Sequence, residues 1–470
     1  MNPEPAVQTG PTASGGRQAP GERPAPRGRL GRFLAAPALA PIVLVIAALL
    51  VGIVHVPQHK TLSPIDEYTY IDYLSKVPTE GYVHRGEQTG SYARTQLGCR
   101  GLRLLAPSPD DRCQVSVAAD NGRFPFGGRT SADIYSPAYF MVTWTLAQPL
   151  TWFGVGLTDA GRAVGALWLA VAAVLLYLSL RRLKVAALPA FGTGLLIIGS
   201  LPAYWSNTYI STDATALPAG ALMLYLAVRL DLKGKGVVWF ALASAFVTLL
   251  KVQNLAAVAA AALFLLLRAG IAAYRERPSR WGWIGRGFRD PRALSAIIGV
   301  VAGVVAQLLW LGLRTATAVG PSPDMGAVPP LSITQLLSQA GLFLGGASAG
   351  VGDTGTVLRA PGLLIQLVTT WLAIAGTIGL LIVSRWGRRR AAIALGVFIA
   401  VIVSAPLLTI ATYVTLGTYP FPLPSRYGIS LLPLTLGCAA LLLPRRPVPG
   451  ALLGAAGVVV FLASMVVPAG

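Results

Sequence analysis

The sequence predicts an all-α polytopic membrane protein: a bundle of about eleven transmembrane helices whose long first external loop bears surface-lying helices. Three observations predict it. The 470 residues are 54% hydrophobic and only 12% charged, with a mean hydropathy of +0.63, whereas soluble domains carry about 25% charged residues. Apolar runs of the roughly 20 residues needed to cross a bilayer recur along the chain. The basic residues fall on one side once those runs are laid across a membrane.

Taken in order, residues 1–32 are rich in Pro, Gly and Arg without periodicity and read as a disordered cytoplasmic tail. The run at 33–54 superficially resembles the apolar part of a signal peptide. It is long enough to span and has no clear small-residue cleavage site, so a retained first helix is expected. Residues 55–162 form the first external loop, 163–314 hold spans two to seven, 315–361 form a Gly-, Ser- and Pro-rich second external loop, and 362–470 hold spans eight to eleven. The runs begin near Phe33, Val164, Ala186, Ala214, Val237, Leu255, Leu294, Gly362, Ala391, Gly428 and Ala451.

One further stretch, SPAYFMVTWTLAQPLTWFGVG from Ser136, is apolar but carries two prolines. Charge decides how it lies. With this stretch on the outer surface, the tail, Arg181/Arg182/Lys184, Arg229/Lys233/Lys235, 268–292, 385–390 and Arg445/Arg446 all face inward. Those segments hold 24 Lys and Arg against 5 Asp and Glu, a net of +19 out of the total +20. Were the stretch to cross, the basic clusters would divide between the two faces, against the positive-inside rule. The expectation is therefore a multi-pass plasma-membrane protein with a cytoplasmic N-terminus. The same retention explains the net charge without nucleic acid as a partner, and no nucleic-acid-binding motif accompanies it.

The unusual polar residues then share the outer, extracytoplasmic face. Asp66 and Glu67, in TLSPIDEYTYIDYL, follow the first helix; Asp213 opens the fourth run, Lys251 closes the fifth, and Arg426 opens the tenth. Ionisable groups at membrane depth are costly and mark function. Each also has a plainer account: a solvated loop for the acidic pair, an N-cap for Asp213, snorkelling for Lys251, an interfacial anchor for Arg426. What points to a site is their joint placement on one face. The chemistry they suit is glycosyl transfer from a lipid phosphate. Asp66 would take the acceptor's proton, with Glu67 positioning the acceptor or modulating the base. Lys251 and Arg426 would hold the departing phosphate, and Asp213 would orient the sugar or a cation. Tyr68, Tyr70 and Tyr73 either stack on sugar or pack a surface helix.

These motifs, in this order, resemble the GT-C superfamily of polyprenyl-phosphate-sugar-dependent glycosyltransferases, which includes protein O-mannosyltransferases and aminoarabinose lipid A transferases. The family's acidic pair is matched by Asp66-Glu67, and its His-Pro-Pro-Leu-Tyr-like segment loosely by YSPAYF at 135–140. Its helix-opening Asp is matched by Asp213, its Lys by Lys251, and its Arg-Tyr before a Leu-Pro helix by Arg426-Tyr427. Tyr135 and Ser136 stand where the family has His-Pro. SPIDEYTYIDYL also resembles an uncharacterised actinobacterial branch of the superfamily. The resemblance implies an inverting transferase with a lipid-linked sugar donor, a glycan, lipid or protein acceptor, and Tyr135, Tyr139 and Tyr427 near the substrate.

Rival classes are a lipid-linked saccharide transporter or flippase, which would need charge inside several spans, and a scaffold, which would not need these acids and bases. His55, His59 and His84 lack zinc-site spacing; no cofactor is required, and Mg²⁺ or Mn²⁺ on Asp66 and Glu67 stays open. Cys99 and Cys113 fall in the external segment and Cys438 in an apolar run. An oxidising compartment favours a Cys99–Cys113 disulfide, and spacing alone leaves two free thiols open.

Overall fold

The computed structural model describes residues 38–102, 113, 121–276, 282–323, 330–349, 360–417, 419–443 and 447–467. The expected tail at 1–32, Arg445, Arg446 and parts of both external loops lie outside the described residues. Among the described residues regular structure is helical, with two isolated β-bridges, Leu62 to Leu102 and Gln88 to Arg129. In chain order the helices are α1 (Leu39–His55), α2 (Glu67–Glu80), α3 (Ser91–Arg100), α4 (Ala138–Trp152), α5 (Leu157–Arg182), α6 (Ala187–Ile198), α7 (Leu201–Asn207), α8 (Ala216–Lys233), α9 (Val237–Leu250) and α10 (Leu255–Arg275). They continue with α11 (Gly282–Arg289), α12 (Pro291–Ala316), α13 (Ile333–Ser338), α14 (Leu342–Gly346), α15 (Ala360–Val383), α16 (Arg389–Leu416), α17 (Leu432–Leu442) and α18 (Pro447–Met465).

Among the described residues nine helices, some extended by a short 3₁₀ turn, are long and apolar enough to cross a membrane, ten if α6 and α7 count as one bent span. The shorter apolar α9 is the one remaining run of the sequence reading. The chain is thus an all-α polytopic membrane protein. α4 is not among the spanning helices. It buries Tyr139, Phe140, Thr143 and Ala147 on one face and leaves Trp152 and Phe153 largely exposed beyond the other.

Two boundaries differ from the sequence reading, each for a local reason. α5 begins at Leu157, before the expected Val164, because the charges in its first turns are paired: Asp159 with Arg100 and Arg162 with Glu67. The run from Ala186 is bent by 51° between α6 and α7. Ser200 restarts the helix there, its Oγ accepting from Ala203 N at 3.3 Å with Pro202 in the first turn. Cys99 and Cys113 are joined in a disulfide.

Two glycines set how the helices approach one another around the polar end of α8. A Cβ on Gly220 would lie 2.0 Å from Ser430 O, and one on Gly165 would lie 2.2 Å from Asn207 O. The first lets α8 press against the 3₁₀ turn Ser425–Leu431. The second lets α5 receive the end of α7, where Asn207 Nδ2 donates to Gly165 O at 2.9 Å. Those contacts fix the level at which Asp213 and Arg426 meet.

Candidate active site

The site is built on a buried ion pair. Glu67 and Arg162 are both fully buried, with Arg162 Nε 2.8 Å from Oε1 and Nη2 2.9 Å from Oε2. Glu67 also accepts from Ser63 N at 2.7 Å and Ile210 N at 3.0 Å. Arg162 donates onward to His59 O at 2.7 Å and Thr61 O at 3.0 Å and lies over the Tyr209 ring, which stacks on His59. A buried pair is tolerated when its remaining hydrogen-bonding capacity is met, as here. One carboxylate thereby ties the 59–67 loop, the 209–213 loop and α5 together. Glu67 is placed inside this network, away from any open face, so the geometry suits a positioning role better than contact with an acceptor.

Asp66, the preceding residue, adopts φ 56° and ψ 0° at the start of α2. Asp and Asn are the non-glycine residues that tolerate this left-handed conformation. Its backbone carbonyl accepts from Tyr70 N at 3.0 Å and Thr69 Oγ1 at 2.9 Å, and its carboxylate caps no helix N–H, which leaves that carboxylate to the cleft. There Arg426 Nη2 lies 3.3 Å from Asp66 Oδ2, and the Asp66 side chain is 32% exposed.

Arg426 also reaches Asp213, Nε to Oδ2 at 3.5 Å, and that buried Nε makes no hydrogen bond among the described residues. Asp213 Oδ1 is bonded by Lys251 Nζ, whose side chain is 1% exposed. The Tyr427 ring lies 5.4 Å from both Lys251 Nζ and the Arg426 guanidinium carbon. Asp66, Arg426, Asp213 and Lys251 therefore form one chain of alternating charge, two acids and two bases, contributed by four separate segments. Asp213 is not the cap of its turn: Ser211 Oγ takes Asp213 N at 3.1 Å, leaving the carboxylate for cations. Lys251 does not snorkel; it is held between α9 and α10 in extended backbone.

Aromatic hydroxyls floor this chain. Tyr70 OH donates to Tyr135 OH at 3.2 Å and accepts from Thr212 Oγ1 at 3.4 Å. Tyr139 OH accepts from Ser211 N at 3.1 Å. Burial pushes the Tyr135 phenol well above its ordinary range, so it stays a neutral hydroxyl. Ser136 Oγ donates to Leu249 O at 2.6 Å and pins the surface segment to the end of α9, two residues before Lys251. A small cleft beside Asp213 is lined by Ser63, Ile65, Trp205, Ser206 and Ser211.

All eight residues singled out from the sequence as catalytic or substrate-contacting lie in this cluster or directly beneath it. Sequence reasoning missed Arg162, Ser211 and Thr212. Arg162 carried a signal: a lone cation two residues before an apolar run needs a partner. Among the described residues no group of three His, Cys, Asp or Glu lies close enough to hold a metal. On the expected pair, Arg162 holds both Glu67 oxygens and Arg426 reaches Asp66, so a Mg²⁺ or Mn²⁺ bridging Asp66 and Glu67 would have to displace both guanidinium groups.

The fold and site define a polytopic membrane protein with a charge-balanced acid–base cleft at one end of its helices. No protein-family model matches the chain, and no curated protein matches it. Among solved structures it is similar to the crystal structure of ArnT from Cupriavidus metallidurans bound to undecaprenyl phosphate, at 15% identity and a TM-score of 0.34, over 89% of this chain and 77% of that one.

Proposed function

We propose that the chain is an inverting glycosyltransferase that moves a sugar from a polyprenyl-phosphate donor to a cell-envelope glycan, lipid or protein acceptor at the outer face of the membrane. The observation that carries this reading is the chain Asp66–Arg426–Asp213–Lys251, assembled from four segments at one level of the bundle. A lipid-linked sugar has its reactive phosphate at the bilayer surface, and its departure needs little beyond cations and a base.

In this account the acceptor hydroxyl attacks the anomeric carbon as Asp66 takes its proton. A bond from acceptor oxygen to sugar carbon forms while the bond from that carbon to phosphate oxygen breaks, so the phosphate leaves with one more negative charge. Arg426, through its unbonded Nε, and Lys251 receive that charge. Asp213 holds both cations in place before the donor arrives. Glu67 and Arg162 fix the loop that presents Asp66. Tyr135, Tyr139 and Tyr427 line the floor on which the sugar rests. A single displacement inverts the anomeric centre. The outward placement of this cleft, with the N-terminus cytoplasmic, is supported by the net +19 on the other ends of the spans.

The experiment is a lipid comparison of a strain lacking the protein with its parent. Accumulation of one polyprenyl-phosphate sugar is expected and names the donor. An unchanged lipid-linked pool, with a change in a different envelope component, would count against the reading.

A further inference from the structure

At the opposite end of α8, Asp231 lies 18 residues beyond Asp213, roughly 27 Å away at the helical rise. Its carboxylate is fully buried and gathers three guanidinium groups. Arg268 Nε of α10 is 3.1 Å and Arg292 Nε of α12 is 3.0 Å from Oδ1, while Arg389 Nε of α16 bonds Oδ2. Asp290 takes a second contact from Arg292 at 3.4 Å. Three arginines thus face two acids.

An interhelical latch needs less cation than this. One guanidinium neutralises one carboxylate, so with Asp290 taking a share of Arg292 one guanidinium is left in excess, and it repels its neighbours unless a further anion is present. The arginines approach Asp231 by their Nε edges. No described partner takes the Nη groups of Arg268 or Arg389, and the three side chains are 17%, 24% and 34% exposed. A second observation comes from the neighbouring surface. Val238 and Trp239 at the start of α9 and Leu294 and Ile297 at the start of α12 are exposed apolar groups. The two helices press together there, a Cβ on Gly299 falling 2.4 Å from the Phe240 ring. An exposed Trp at a helix end is an interfacial residue, and basic pockets between spans take anionic headgroups.

We infer that Arg268, Arg292 and Arg389, gathered on Asp231, form a phosphate site that holds the headgroup of an anionic phospholipid, with its acyl chains along α9 and α12. This site is independent of the transferase reading, since it lies at the other membrane face and touches none of the residues of the cleft.

The test is native mass spectrometry of the full chain in detergent with equal amounts of phosphatidylglycerol and phosphatidylcholine added. The wild type retains phosphatidylglycerol with about tenfold preference or more. Arg268→Gln/Arg389→Gln abolishes the preference, whereas Lys233→Gln/Lys235→Gln, which removes equal charge from exposed positions, keeps it. No preference in the wild type, or full preference in the arginine variant, overturns the inference. Stabilisation of the wild type by millimolar inorganic phosphate, without lipid preference and lost in the arginine variant, overturns the lipid source and assigns the site to free phosphate. Should the double variant fail to fold, Arg389→Gln alone leaves Asp231 two partners and reduces the preference about fivefold; an unchanged preference overturns the site.

Discussion

α8 has a buried aspartate near each end, and the company they keep differs. Asp213 belongs to a set of two acids and two bases. Asp231 anchors three arginines. A balanced set suits a place where charge appears and disappears in each turnover, because a group that gains a proton and one that gains a phosphate charge offset each other. An excess of one sign suits a standing counter-ion. The two ends teach that buried charge is informative through its local balance, and the total of +20 conceals that difference.

The largest expected effect breaks the Asp213 end alone. Arg162→Ala leaves Glu67 buried without its cation, which costs about 3–5 kcal/mol. Thermal unfolding followed by size-exclusion chromatography should show a marked loss, and a Tm within a degree or two of wild type would mean the pair is not what holds the 59–67 loop. Next come Lys251→Ala and Arg426→Ala. Each is expected to lower turnover about 10²–10³-fold and to raise the KM for donor, while leaving phosphatidylglycerol retention at the Asp231 end unchanged. Loss of lipid retention in either variant would show that the two ends are coupled.

How much of this contrast was legible in the sequence follows from the surroundings of each residue. Asp66, Asp213, Lys251 and Arg426 interrupt or flank apolar runs on the face with little net charge, so each stood out. Arg268, Arg292 and Arg389 were absorbed into the basic excess expected on the opposite face, where every arginine looks like a topological signal. Nothing in one sequence reports that three of them converge on Asp231, because that convergence depends on α8, α10, α12 and α16 packing side by side. The acidic pair was read as a base, Asp66, beside a positioning or modulating group, Glu67, without the cation that buries Glu67. Adjacent residues at a helix start point in different directions, and only the partner of Glu67, 95 residues on, separates them. The helix starts at Leu157 and the bend at Ser200 were hidden for a similar reason: paired charges and a capping serine extend or break helices without altering apolar composition much.

Gly220→Ala inserts a methyl against Ser430 O and is expected to cost about 1–3 kcal/mol. It should also lower activity by parting Asp213 from Arg426, with the Asp231 end untouched; full activity at wild-type stability would show that α8 has room to move. Smallest of all, exhaustive chelation should leave turnover within about twofold, because Arg426 and Arg162 already hold the carboxylates of Asp66 and Glu67. A loss restored by Mg²⁺ or Mn²⁺ would show instead that a metal displaces the guanidinium groups.

The measurement closest to the central claim is consumption of a polyprenyl-phosphate sugar by the purified chain, compared with Asp66→Asn. That substitution keeps the shape of the side chain and the contact with Arg426 while removing proton affinity. Wild-type protein is expected to convert the donor to polyprenyl phosphate, and Asp66→Asn, folded with an unchanged Tm, to be slower by about 10²–10⁴-fold. Full turnover by Asp66→Asn would contradict the assignment of the base.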